Sequence, residues 1–176
     1  MLVRSIGLFW REDCVYWGAG SSAGTLLGVP FNATTSEPID FRDQIGIYAL
    51  YADYQLVYVG QAGVGHQTLF SRLKQHRKND LAGRWNRFSW FGVLRALNSG
   101  SLSSKTDALH PDLSDVLNHI EAILIHAAEP PMNGQGGRFG DNVTRYQQLR
   151  DERLGPSDHE MLRALCKQQD IDFDGN

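Results

Sequence analysis

Cysteine is scarce in this chain of 176 residues. The only two, Cys14 and Cys166, lie far apart and in no paired spacing, which excludes a disulfide framework and a cysteine-based zinc site and fits a reducing compartment. Long apolar runs are also missing. No stretch approaches the ~20 residues that span a bilayer, and the N-terminal Arg4, Arg11, Glu12 and Asp13 do not have the layout of a secretory signal. The sequence therefore reads as cytoplasmic, with no membrane partner. Charge of one sign is lacking as well: the net charge of -3 excludes a wholly basic nucleic-acid coat. No internal repeat or long low-complexity tract interrupts the chain, whose length suits one domain with extensions.

What is present is concentrated between residues 45 and 76. Two apolar runs rich in β-branched and aromatic residues, Ile45 to Tyr51 and Leu56 to Gly60, flank a polar stretch centred on Asp53 and predict a β-hairpin. A three-residue loop of Ala52, Asp53 and Tyr54 would pair Tyr51 with Gln55 and set Tyr48 opposite Tyr58 on one face. After the glycine-rich loop at Gly63 to Gly65, Leu69, Phe70 and Leu73 repeat at helical spacing, with Arg72 and His76 one turn apart on a neighbouring face. Beyond them, Lys74, Arg77, Lys78, Arg84 and Arg87 form a locally basic stretch opposed only by Asp80. It could track a phosphate backbone or simply be a solvated helix face.

The rest of the middle supplies one more strand and one long helix. Arg87 to Leu97 is dense in aromatic and apolar residues, as a buried strand requires. The Ser-rich segment Asn98 to Asp112 reads as a surface excursion, a substrate-contact loop or an inert insertion. From Leu113 a helical period runs through Val116, Leu117, Ile120, Ile123, Leu124 and Ala127 and carries a single acid, Glu121. A buried carboxylate there would need a cation, whereas a rim position would let it reach water. Pro130 and Pro131 end the helix, and Asn133 follows among glycines.

These separated motifs carry a family resemblance. Gly46-Ile47-Tyr48, then Tyr58-Val59-Gly60, a helix bearing Arg72, Glu121 in a later helix and Asn133 after a proline pair are together similar to the signature of the GIY-YIG nuclease superfamily over residues 45–140. His76, one turn beyond the arginine, and Gln61 in place of a frequent lysine resemble the homing and restriction branches more than the excision-repair branch. The interval between Tyr58 and Arg72 is longer than in compact members, through an insertion around Val64 to Gln67.

The resemblance implies a metal-dependent endonuclease that hydrolyses phosphodiester bonds, in DNA before RNA. Its catalytic set would be Tyr48, Tyr58, Arg72, His76, Glu121 and Asn133. Glu121 would hold one Mg2+ (or Mn2+), Tyr48 would be the general base with His76 as its rival, and Arg72 would stabilise charge at phosphorus. Nucleic acid would be the partner, contacted by Lys74, Arg77, Lys78, Arg84 and Arg87. A non-cleaving nucleic-acid-binding or assembly module, or a nuclease targeted by a protein partner or by homo-oligomerisation, stays open.

The expected fold is α+β, a three-stranded antiparallel central sheet flanked by helices. Residues 1–44 would be a β extension on one edge, with two strands joined by a turn between Leu2 and Trp17. In residues 141–176 a short helix around Val143 to Arg150, another at Asp158 to Lys167 and an acidic tail would follow. The glycine-rich Gly18 to Gly24 misses a dinucleotide-loop spacing and reads as a flexible connection.

Overall fold

The computed structural model describes residues 2–32, 37–63, 66–97, 99–104, 113–129, 139 and 143–168. Strands β1 (Ser5–Arg11), β2 (Leu27–Pro30), β3 (Ile39–Asp40), β4 (Gly46–Ala52), β5 (Gln55–Ala62), β6 (Arg87–Gly92) and β7 (Thr144–Gln148) combine with helices α1 (Leu69–His76), α2 (Leu113–Ala128) and α3 (Asp158–Gln168). All seven strands join one sheet in the order β3-β2-β7-β1-β6-β4-β5. The class is α+β, but the expected three-stranded central sheet is corrected. The antiparallel trio β6-β4-β5 forms one end of a larger mixed sheet, in which β1 and β7 run parallel.

That larger sheet exists because β6 would otherwise present an open edge of aromatic residues. β1 closes it, pairing Ser5 with Gly92 and Trp10 with Phe88, so this strand of the N-terminal segment lies inside the sheet, while β2 and β3 of the same segment form its far edge. A bulge between Gly7 and Trp10, with Phe9 in the left-handed region at φ 53°, re-aims Trp10 into the core. Gly7 is obligatory there, since a Cβ would lie 2.2 Å from Trp90 Nε1. Only one strand forms in this stretch. Val15 and Trp17 are buried, yet a single bridge from Tyr16 to Thr25 replaces the second expected strand. The helix expected around Val143 to Arg150 is strand β7, drawn into the sheet between β1 and β2 with Tyr146 buried beneath Trp10 Nε1, which donates to the Tyr146 carbonyl.

The sheet separates two cores, and β4 feeds both. Tyr48 and Leu50 point to the side holding Trp10, Phe41, Leu69, Leu73, Trp85, Phe88 and Trp90, which α1 covers. Ala49 and Tyr51 point to the opposite side, with Val3, Ile6, Phe91, Ala122 and Ala127, which α2 covers. Gln44, almost fully buried, ties the start of β4 to β1 and to the end of β6: it donates to Ser5 Oγ and to the Leu94 carbonyl and accepts from Leu94 N. Among the described residues no helix is long and apolar enough to cross a membrane.

The hairpin β4–β5 is present with a different register. Its loop is Asp53-Tyr54, with Asp53 at φ 54°, and Ala52 pairs with Gln55; a bulge between Leu50 and Tyr51 then sets Leu50 opposite Tyr58 and Tyr48 opposite Gly60. The shift from the expected pairing is an even number of residues, so Tyr48 and Tyr58 keep a common face, now as diagonal neighbours. Asn86 exchanges hydrogen bonds with Asp53, side chain to backbone and side chain to side chain, each at 2.7 Å, and so pins the turn to the start of β6.

Candidate active site

The site grows from three sequence features, the two glycine-bearing triplets and α1. Gly46 has φ 144°, and a Cβ there would lie 2.1 Å from the Phe91 carbonyl oxygen, so only glycine lets β4 enter the sheet at that point. Gly60 has a different reason. A Cβ at Gly60 would lie 2.4 Å from the Tyr48 hydroxyl oxygen and 2.8 Å from the Tyr58 ring, so the missing side chain is the space that the Tyr48 phenol fills.

Helix α1 is started by a capping box in which Thr68 and Ser71 satisfy each other's backbone N–H groups. Its buried stripe is Leu69, Leu73 and His76, at spacings of four and three. His76 thus replaces an apolar residue at the bottom of a core-facing stripe. It lies 2.7 Å through Nε2 from the Tyr48 hydroxyl oxygen, and its ring packs 4.9 Å from that of Tyr58. Arg72, one turn earlier, donates from Nε to the same hydroxyl at 3.2 Å, while its Nη1 donates to Gln75 Oε1 at 2.9 Å, which orients the guanidinium.

The cluster has a buried floor and a half-open roof. Tyr48 has no exposed surface and His76 only 2%, whereas Tyr58 and Arg72 are half-buried. Burial pushes the Tyr48 phenol above its ordinary value, with Arg72 opposing and the nearby Tyr58 adding to the rise. Burial, and then the charge of Arg72, hold His76 below its ordinary value, so it is neutral near pH 7.

Four of the six expected catalytic residues therefore come together: Tyr48, Tyr58, Arg72 and His76. Glu121 stands apart from them. It is exposed on α2, on the same outer side as Ile120 and Leu124, and α2 covers the opposite face of the sheet from Tyr48. Asn133 lies outside the described residues. The donor set around Tyr48 consists of phenols, an imidazole, a guanidinium and amides. It does not fit Mg2+, which takes carboxylate and water oxygens, and no cluster of three potential metal ligands occurs among the described residues.

Of the expected nucleic-acid contacts, three are used internally. Lys74 donates to the Trp17 carbonyl at 2.8 Å, Arg77 pairs with Glu12 and lies over the Trp17 ring, and Arg87 lies over Tyr54 and donates to the Phe9 carbonyl. Lys78 and Arg84 are exposed. Two residues of the site escape the motif reading. Gln75 and Asn79 lie three positions after Arg72 and His76, and their one-turn spacing on α1 and its C-terminal turn is the signal that could have found them.

The fold and cluster define an α+β protein with a hydrogen-bonded Tyr–His–Arg centre under one end of a sheet. No family model, curated protein or solved structure matches the chain.

Proposed function

We propose that this chain is an endonuclease that hydrolyses phosphodiester bonds in nucleic acid, DNA in the first instance, at the Tyr48 cluster. The single observation that carries the reading is the Tyr48 hydroxyl held between Arg72 Nε and His76 Nε2 beneath a half-exposed guanidinium. Guanidinium N–H groups match phosphate oxygens as a planar fork, and Arg72 is half-exposed, so a phosphate can reach it. That phosphate would be held by the outer N–H groups of Arg72 while its Nε–H stays on the Tyr48 oxygen. Tyr48 would first release its phenolic proton to solvent; as phenolate it takes a proton from water, the water oxygen bonds to phosphorus, and the bond from phosphorus to the leaving sugar oxygen breaks, that oxygen taking a proton from solvent. Arg72 offsets the charge gathering on the phosphoryl oxygens.

The Mg2+ (or Mn2+) implied by the resemblance would supply charge neutralisation, with Glu121 its sole named carboxylate. Since the described residues do not offer that ion a site beside Tyr48, it is a variable of the test. Wild type, Tyr48→Phe, Arg72→Ala and Glu121→Ala, each verified as folded by circular dichroism, are compared on supercoiled DNA, linear DNA and RNA, with Mg2+, Mn2+ or chelator. Wild type should cut. Tyr48→Phe should not, and Arg72→Ala should be slower by on the order of 10²-fold. Loss of cutting in Glu121→Ala together with chelator sensitivity would establish the carboxylate as the metal ligand. Unchanged cutting would free the reaction from Glu121.

The complete burial of Tyr48 and the remote position of Glu121 favour one second reading, a nucleic-acid-binding module that keeps the fold and does not cut. Salt-sensitive binding by a wild type that leaves every substrate intact would establish it.

A further inference from the structure

The imidazole of His76 has two neutral tautomers, and which is present decides whether Tyr48 gives or receives a hydrogen bond. A residue just beyond α1 determines the answer. Asn79 Oδ1 accepts from the backbone N–H of Leu81 at 3.0 Å. A backbone N–H can face only the oxygen of the amide, so this contact fixes which end of the Asn79 side chain is which. The amide nitrogen is thereby turned to His76, with Nδ2 standing 3.1 Å from Nδ1. An amide NH2 only donates, so His76 Nδ1 must accept, and the ring proton resides on Nε2.

We propose that Asn79 is a positioning residue that fixes His76 as the Nε2–H tautomer, so that the Tyr48 oxygen accepts from both His76 and Arg72. Every part of that chain of bonds is in place: Leu81 N–H to Asn79, Asn79 to His76 Nδ1, His76 Nε2–H to Tyr48 at 2.7 Å, and Arg72 Nε–H to Tyr48 at 3.2 Å. A phenol oxygen that already receives two N–H donors has its own hydrogen turned away from both. On loss of that hydrogen both donors remain aimed at the phenolate. His76 cannot take the Tyr48 proton in this arrangement, because its Nε2 is already protonated. The imidazole is thus a donor to Tyr48 and not a rival base.

The tautomer assignment stands on geometry alone; its consequence for turnover rests on the phosphodiester reading above. The test separates the two. Chain labelled with 15N-histidine is examined by long-range 1H–15N correlation near pH 7, with the His76 signals assigned by their disappearance in His76→Gln. Wild type should show a protonated Nε2 and an unprotonated Nδ1. Asn79→Asp keeps an acceptor for Leu81 N–H and turns a second acceptor toward His76, so, at a pH where the 15N shifts report a neutral ring, it should move the ring proton from Nε2 to Nδ1. On DNA that the wild type cuts, Asn79→Asp should lower kcat by about ten-fold or more with little change in KM, since the reversed donor at Tyr48 affects the reacting group and not phosphate capture.

A wild-type spectrum with the proton on Nδ1, or an Asn79→Asp spectrum identical to wild type, would overturn the assignment. A switched tautomer with unchanged kcat would overturn the positioning role. Failure of the wild type to cut any substrate counts against the phosphodiester reading, and the spectra still decide the tautomer.

Discussion

His76 shows how one residue's position sets both chemistry and stability. It occupies a core-facing place on α1 that Leu69 and Leu73 fill with apolar side chains, and its neutral form is what the core tolerates. The folded chain holds its pKa below the ordinary value, first through burial and then through Arg72; Tyr48 and Tyr58 are the other titratable groups facing the ring. The unfolded chain binds the proton near pH ~6.5. The folded state resists that proton, so the contribution of His76 is fully present above the unfolded value and is lost as pH falls below it. Thermal unfolding followed from about pH 7.5 to about pH 5 should therefore show a falling Tm whose slope is reduced in His76→Gln, the other five of the six histidines acting as a common background. Identical slopes would show that the ring is free to charge in the folded chain.

At the scale of elements, the β4–β5 hairpin was legible where physics is local and not where it is cooperative. Alternation predicts which faces Tyr48 and Tyr58 occupy, and an even register error leaves that answer intact. The loop length and the bulge were not legible, because Asp53 in the left-handed region and the Asn86 contacts depend on β6 arriving alongside. The two glycines were visible as part of a motif, but their reasons, a carbonyl behind Gly46 and a phenol over Gly60, needed the third dimension. The element-level consequence is sharp for Gly60. Alanine there must displace the Tyr48 hydroxyl, since its Cβ would fall 2.4 Å from that oxygen, and β5 is paired with β4 on either side of Gly60. Gly60→Ala should cost about 1–3 kcal/mol in chemical denaturation, the range of overpacked cores, and should break the Tyr48–His76 bond, removing cleavage even where the chain remains folded. A variant with wild-type stability and turnover would mean that Tyr48 does not lie over Gly60.

For the whole molecule, the family resemblance covers residues 45–140, and the sheet places strands from outside that range at its centre. A strand reading of Ser5 to Arg11 follows from its apolar content, but nothing local says that it will pair with β6 some eighty positions away, or that Thr144 to Gln148 will lie parallel to it. Tyr146 and its neighbours looked helical because a five-residue strand carries too little pattern to outvote a helical spacing. The energetic weight of these strands is large. Val3, Ile6 and Trp10 from the N-terminal segment and Tyr146 from β7 are at least nine-tenths buried, and Phe91, Trp90 and Phe88 of β6 pack against them. Removing β1 would leave β6 with an unpaired edge and an uncovered aromatic surface, a combination that drives strand-to-strand association. Residues 45–140 expressed alone should therefore be insoluble or unfolded by near-ultraviolet circular dichroism, whereas the full chain gives the aromatic signals of packed Trp10 and Trp90. A soluble 45–140 fragment with cooperative unfolding would show that β4, β5, β6, α1 and α2 close a core by themselves, and that β1 and β7 only extend a unit that is already complete.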